Sequence, residues 1–122
     1  MSVVLDASAV LAFLQGEEGA EDVESAILGG AQCGAANWSE VAQKVLAAGR
    51  DWGIVRALLT SYGVMVQPVT IDDAEWAARR WKRGEGLSLA DRLCLALAER
   101  ADAQVLTADS MWGSSGRVKQ IR

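Results

Sequence analysis

The stretch VVLDASAVLAFLQG, Val3 to Gly16, decides the fold. Val3-Val4-Leu5 suits a strand buried on both faces, the habit of a parallel sheet. After Asp6 the apolar residues return at helical spacing, so a helix begins near Ala7 or Ser8. Asp6 therefore stands where the strand stops, the edge at which open α/β sheets bind ligands. It also stands where a helix needs an N-cap, a position aspartate favours. On this stretch alone both readings hold. The choice depends on whether other carboxylates reach the same edge.

Composition narrows the classes. A chain of 122 residues, 51% hydrophobic with a single proline, is expected to form one domain over residues 1–122 with a substantial core. Its two cysteines, Cys33 and Cys94, lie in apolar surroundings and read as reduced core thiols, not a disulfide framework. No basic leader precedes the first apolar stretch, and no apolar run is long enough to span a bilayer. The expected setting is soluble and cytoplasmic, with no membrane partner. The chain has no histidine, which removes Ser-His-Asp triads, Cys-His pairs and His-ligated zinc at once. Any catalysis must rest on carboxylates and hydroxyls, with or without a hard metal ion. The net charge of −4 weighs lightly against nucleic acid, because distribution matters more than the sum.

Further strand-like runs lie around Gln32–Ala35 and at Val64–Val69, Ala103–Thr107 and Val118–Ile121. Helical stripes fill the intervals: Ala20-Val23-Ile27, Trp38-Val41-Val45-Ala48, Ile54-Leu58-Tyr62 and Ala74-Ala77-Ala78-Trp81. Leu89 to Ala98 is apolar almost all round, which predicts a central helix. Strands separated by helices need crossover connections. The expected fold is α/β, a three-layer α/β/α domain around a central, mostly parallel sheet.

This layout brings four acids toward one sheet edge: Asp6, Glu40 in NWSEV, Asp91 in LSLADRLCLALA and Asp109 in VLTADSMW. Each has a plainer reading. Asn37 to Glu40 and Ser88 to Asp91 fit capping boxes, Glu40 and Lys44 fit a surface pair, and Asp109 could cap a short helix. Asp91 is the least easily dismissed, since Cys94, Leu95 and Ala98 share its helix face. Clustered carboxylates repel one another unless a divalent cation binds between them, and oxygen-only ligands point to Mg²⁺ or Mn²⁺. Such a site activates a water and stabilises the oxyanions of phosphodiester cleavage.

Taken together, VVLDASAVLAFL, NWSEV, LSLADRLCLALA and VLTADSMW resemble PIN-domain ribonucleases, and more narrowly the VapC-type toxins of toxin–antitoxin pairs. The resemblance runs over essentially the whole chain. It implies a PIN-like fold that cleaves RNA with Mg²⁺ or Mn²⁺ held by an acidic quartet. Here that quartet is Asp6, Glu40, Asp91 and Asp109, with Asp6, Asp91 and Asp109 as metal ligands. Ser8 and Thr107 match the hydroxyl residues of the pocket, and Trp112 is expected to pack beneath it. The resemblance further implies an RNA substrate, a small antitoxin whose tail covers the pocket, and a homodimer with Trp52 and Trp76 as interface aromatics.

WAARRWKRG, read as one helix, aligns Trp76 with Arg79, Arg80 and Arg83. Such a face can hold a phosphate backbone and stack a base. A solvated helix end with a cation–π contact, or a dimer contact by Trp76, fits the same residues as well. A PIN-like module that binds RNA or a partner without cutting also stays open. A phospho-accepting receiver needs paired acids at the first strand end and a late lysine; Asp6 stands alone and Lys119 is the only such lysine. No G-x-G-x-x-G follows the first strand, which argues against dinucleotide binding.

Overall fold

The computed structural model describes residues 2–122. Val3–Leu5 forms β1 at the centre of a sheet completed by β2 (Ala31–Gly34), β3 (Met65–Gln67), β4 (Gln104–Thr107) and β5 (Val118–Gln120). The strand order is β3-β2-β1-β4-β5. Every pairing is parallel, with Val3 opposite both Ala31 and Gln104, and Leu5 opposite Leu106. A mostly parallel sheet is expected from the sequence. It is wholly parallel because even the last connection, through a short 3₁₀ turn at Ser110–Trp112, crosses over before pairing.

Six helices cover the sheet: α1 (Ala7–Gln15), α2 (Ala20–Leu28), α3 (Ala35–Ala47), α4 (Trp52–Ser61), α5 (Ile71–Arg80) and α6 (Leu89–Ala101). Alternation along the strands divides the core between two faces. Leu5, Cys33 and Leu106 pack with Val10, Val23, Val41 and Leu59 of the first four helices. Val4 and Val105 pack with Cys94, Leu97 and Ala98 of α6, and with Trp112. Burying one such Leu or Val contributes about 1.5–3 kcal/mol, so β1, buried on both sides, is where truncation should cost most. Both cysteines are free and buried, as their surroundings suggest. Among the described residues no helix is long and apolar enough to cross a membrane.

Two boundaries differ from the sequence expectation. Ala35 opens α3 instead of ending β2, so that helix starts before Asn37. Helix α5 stops at Arg80, and Trp81 is already extended at φ −60°, ψ 136°. A continued helix would stack Arg79, Arg80, Lys82 and Arg83 at its negative end. Instead, the Arg80 guanidinium grips Glu85 with two bonds of 2.7 and 2.9 Å, which fold the 81–88 linker back onto the helix end.

Candidate active site

Asp6 caps α1, accepting the Ala9 amide at 2.8 Å. It also accepts the Ser8 hydroxyl at 2.8 and 2.9 Å and the Thr107 hydroxyl at 2.5 Å. Ser8 Oγ in turn accepts the Ala108 amide at 2.8 Å, and Thr107 Oγ1 accepts the Asp109 amide at 3.0 Å. This web ties the end of β1 to the end of β4. Asp6 is only 3% exposed. Burial pushes its carboxyl up to about 6; the bonds from Thr107, Ala9 and Ser8 oppose that rise, and the charge of Asp91 adds to it. Both sequence readings of Asp6 are therefore met: it caps a helix and ends a strand among other acids.

The remaining acids also have local work. Asp91 forms the expected capping box: Ser88 Oγ accepts the Asp91 amide at 3.1 Å, and Asp91 Oδ2 accepts the Ser88 amide at 2.9 Å. That box engages one carboxylate oxygen. Asp109 caps the 3₁₀ turn by accepting the Met111 amide at 2.9 Å. Glu40 departs from expectation, because Gly34 takes the N-cap position of α3 and no box forms around Asn37. Asn37, 1% exposed, instead donates to Glu40 Oε1 at 3.1 Å and to the Ala90 carbonyl at 3.3 Å. It links α3 to the start of α6, beside Asp91. A side chain at Gly34 would bring a Cβ within 3.3 Å of Asn37 Oδ1, so the strand end favours glycine. Burial raises the Glu40 carboxyl; Asn37 opposes this, Asp91 adds to it, and Lys44 opposes it.

Asp6, Glu40, Asp91 and Asp109 line one cleft of about 200 Å³, together with Ala7, Ser8, Leu11 and Lys44. It opens at the carboxyl edge of the sheet, where β1 and β4 end and α1 and α3 begin. Sequence reading missed two participants. Asn37 gave only a helix-start signal, and Lys44, read as half of a surface pair, reaches the cleft with Glu40. Trp112 packs against Cys94 and Val105 behind the turn that carries Asp109.

The donor set suits a hard divalent cation. Carboxylate and hydroxyl oxygens line the cleft without imidazole or thiolate among the described residues, as a hard ion such as Mg²⁺ or Mn²⁺ requires. A cation would also answer the charge that burial disfavours at Asp6. Among the described residues, however, no group of three or more acids or thiols is already drawn together to hold a metal ion. The side chains would have to close around it.

The basic face expected on α5 is divided. Arg79 is exposed, Arg80 is paired with Glu85, and Arg83 lies beyond the helix with its guanidinium 5.9 Å from the Trp81 ring centre. Trp76 is half-buried in a cleft wall. Trp52 is also half-buried, packed edge-on against Trp38 at 5.2 Å. Helix α5 ends too early to align the four residues, which is why the single face does not form.

A parallel α/β/α fold with a carboxylate-lined cleft at its carboxyl edge is the class these features define. The chain belongs to the PIN-domain family, whose model matches residues 3–114. Three solved structures share the fold. A toxin–antitoxin complex from Klebsiella pneumoniae aligns over 98% of both chains at 16% identity and a TM-score of 0.82. VapC20 of Mycobacterium tuberculosis, described as a sarcin-ricin loop cleaving toxin, aligns over 87% of both at 17% identity and 0.68. VapBC2 of Rickettsia felis, bound to a promoter DNA fragment, aligns over 98% of both at 11% identity and 0.72. No curated protein matches by sequence.

Proposed function

We propose that the chain is a single-domain, metal-dependent endoribonuclease and the toxin of a toxin–antitoxin pair. The observation that carries this reading is the meeting of Asp6, Glu40, Asp91 and Asp109, from separate elements, in one cleft. Asp6, Asp91 and Asp109 would hold Mg²⁺ or Mn²⁺. A bound ion of that kind lowers the pKa of a water and neutralises the oxyanions of a phosphodiester under attack. Ser8 and Thr107 keep the Asp6 carboxylate fixed at the strand end. Glu40, raised by burial and steadied by Asn37, is suited to take a proton from the attacking water. Lys44 puts one positive charge at the cleft for a phosphate. The fold likeness to the Klebsiella pneumoniae complex and to VapC20 supports the toxin role. By the same likeness the partners are an RNA substrate and an antitoxin; the sequence resemblance adds that the antitoxin is small, that its tail covers the cleft, and that a second copy completes a homodimer.

Purified protein should cut single-stranded RNA with Mg²⁺ or Mn²⁺ and leave it whole in chelator. Cutting at the same rate in chelator would overturn the metal-dependent reading. A second reading, a PIN-fold module that binds RNA or a partner without cutting, draws on the capping bonds of Asp6, Asp91 and Asp109. RNA bound but uncut with either ion would favour it.

A further inference from the structure

A second cleft, of about 450 Å³, lies across the Ser110–Trp112 turn from the acidic one. The two share walls. Asp109 faces the acidic cleft, while Met111 and Trp112 just beyond it line the second; Asp91 faces the first, and Leu95, one turn along α6, lines the other. Trp76 of α5 and Leu87 of the linker complete the apolar surface.

Its charges are already engaged. Arg80 is bound twice to Glu85, and Arg117 bridges Glu99 at 3.0 Å and Asp102 at 2.9 Å. A cleft whose cations are paired does not select a phosphate, and one whose carboxylates are paired does not select a metal ion. What it offers is ring surface, with an unused donor buried in its wall. Trp112 is 8% exposed, and its indole Nε1 is buried without a hydrogen-bond partner among the described residues. A buried donor left without its bond is destabilising, so an acceptor that reaches it is favoured. The movable part of the wall is Met111, a flexible and largely exposed side chain whose methyl packs against Gly86, where a Cβ would stand 2.8 Å away. A flat, uncharged ring that carries acceptors matches this lining, and unpaired RNA bases are held by aromatic faces in this way.

We propose that this cleft receives an unpaired base of the RNA beside the cut phosphate, stacked on Trp76 and accepting a hydrogen bond from Trp112 Nε1. The proposal rests on the ribonuclease reading and adds a determinant of which RNA is cut. The test measures binding of a short single-stranded RNA in chelator, with each base removed in turn. Removal of one base near the cut should weaken binding roughly 5- to 150-fold, the factor matching about 1–3 kcal/mol of stacking per base. Trp76→Leu keeps apolar bulk and should remain folded. It should weaken binding of intact RNA to a similar degree and abolish sensitivity to that one base. The Trp112 indole N–H resonance should move with intact RNA and not with RNA lacking that base. Equal sensitivity to every base, or wild-type binding by Trp76→Leu, overturns the base pocket and leaves the nuclease reading standing, provided the wild type cuts RNA. RNA neither bound nor cut removes both.

Discussion

Asp6 and Asp73 are both buried aspartates at helix starts, 3% and 4% exposed, yet the chain holds them in opposite ways. Asp73 completes the Thr70 capping box of α5, and the Arg100 guanidinium clamps it at 3.1 and 3.0 Å. Burial pushes its carboxyl up, but Arg100 and Thr70 together bring it below its ordinary value. It is covered by an arginine and answered by it. Among the described residues Asp6 has hydroxyls and an amide but no cation as hydrogen-bond partners, and burial wins. Asp91 sharpens the contrast, since its box with Ser88 repeats that of Thr70 and Asp73. No ion pair of Asp91 occurs among the described residues. A buried or clustered carboxylate matched by the chain's own cation is an anchor; one left unmatched favours a charge from outside.

Activity should separate the two kinds most widely. Asp6→Asn, Asp91→Asn and Asp109→Asn should each lower Mg²⁺-dependent RNA cleavage by about 10²–10³-fold, as loss of one preorganised electrostatic group does. Asp73→Asn should leave the folded protein's cleavage rate unchanged and lower only its melting temperature. Near-wild-type cleavage by Asp6→Asn, or inactivity of folded Asp73→Asn, would break the comparison.

The pH dependence of stability has opposite signs at the two sites. The carboxyl of Asp6 is raised from 3.8 to about 6, so its contribution is fully present below about pH 4 and lost as the pH rises through 6. At about 1.4 kcal/mol per unit, the loss is about 3 kcal/mol in metal-free protein. Asp73 is lowered, so its contribution is present above the ordinary carboxylate value and lost as the pH falls further. Denaturant melts in chelator from about pH 4 to 6 should therefore fall in stability, and Asp6→Asn should flatten that fall. An equal slope in wild type and Asp6→Asn would place the titration elsewhere.

Metal linkage is next in size. Mg²⁺ at a hundredfold excess over its dissociation constant should add about 2.7 kcal/mol to the wild type. Asp73→Asn should keep that gain and Asp91→Asn should lose most of it, as read by melts with Mg²⁺ and with chelator. The smallest effect belongs to the cap. If the Asp91 box only steadied its helix, Asp91→Asn would cost about 0.3–1 kcal/mol in chelator. Relief of repulsion from Asp6 and Glu40 should instead leave the metal-free variant at least as stable as wild type. A variant destabilised in chelator that still gains the full Mg²⁺ shift would return Asp91 to the structural class.

Much of this was legible in VVLDASAVLAFLQG and its three companion motifs. An apolar run ending in an acid, followed by helical spacing, is a local pattern, and β1, α1 and the Asp6 cap formed where it placed them. The Ser88–Asp91 box was legible for the same reason, since its bonds span three residues. Harder to read was the end of α5, where continued periodicity through Trp81 lost to the Arg80–Glu85 pair. Asn37 looked like a helix start, and only the approach of Ala90, 53 residues away, makes it a link between α3 and α6.

By itself, then, the sequence determined which acids could cap and that they follow strand-like runs, because capping and strand burial depend on neighbours a few residues apart. Only the tertiary structure decided which capping acid is neutralised and which is left facing others. Arg100 reaches Asp73 across 27 residues, and Thr107 reaches Asp6 across 101. The physical reason is that a carboxylate's pKa and its capacity to attract a cation are set by burial and by the charges beside it in space. Those are fixed only when the parallel sheet brings distant strand ends to one edge.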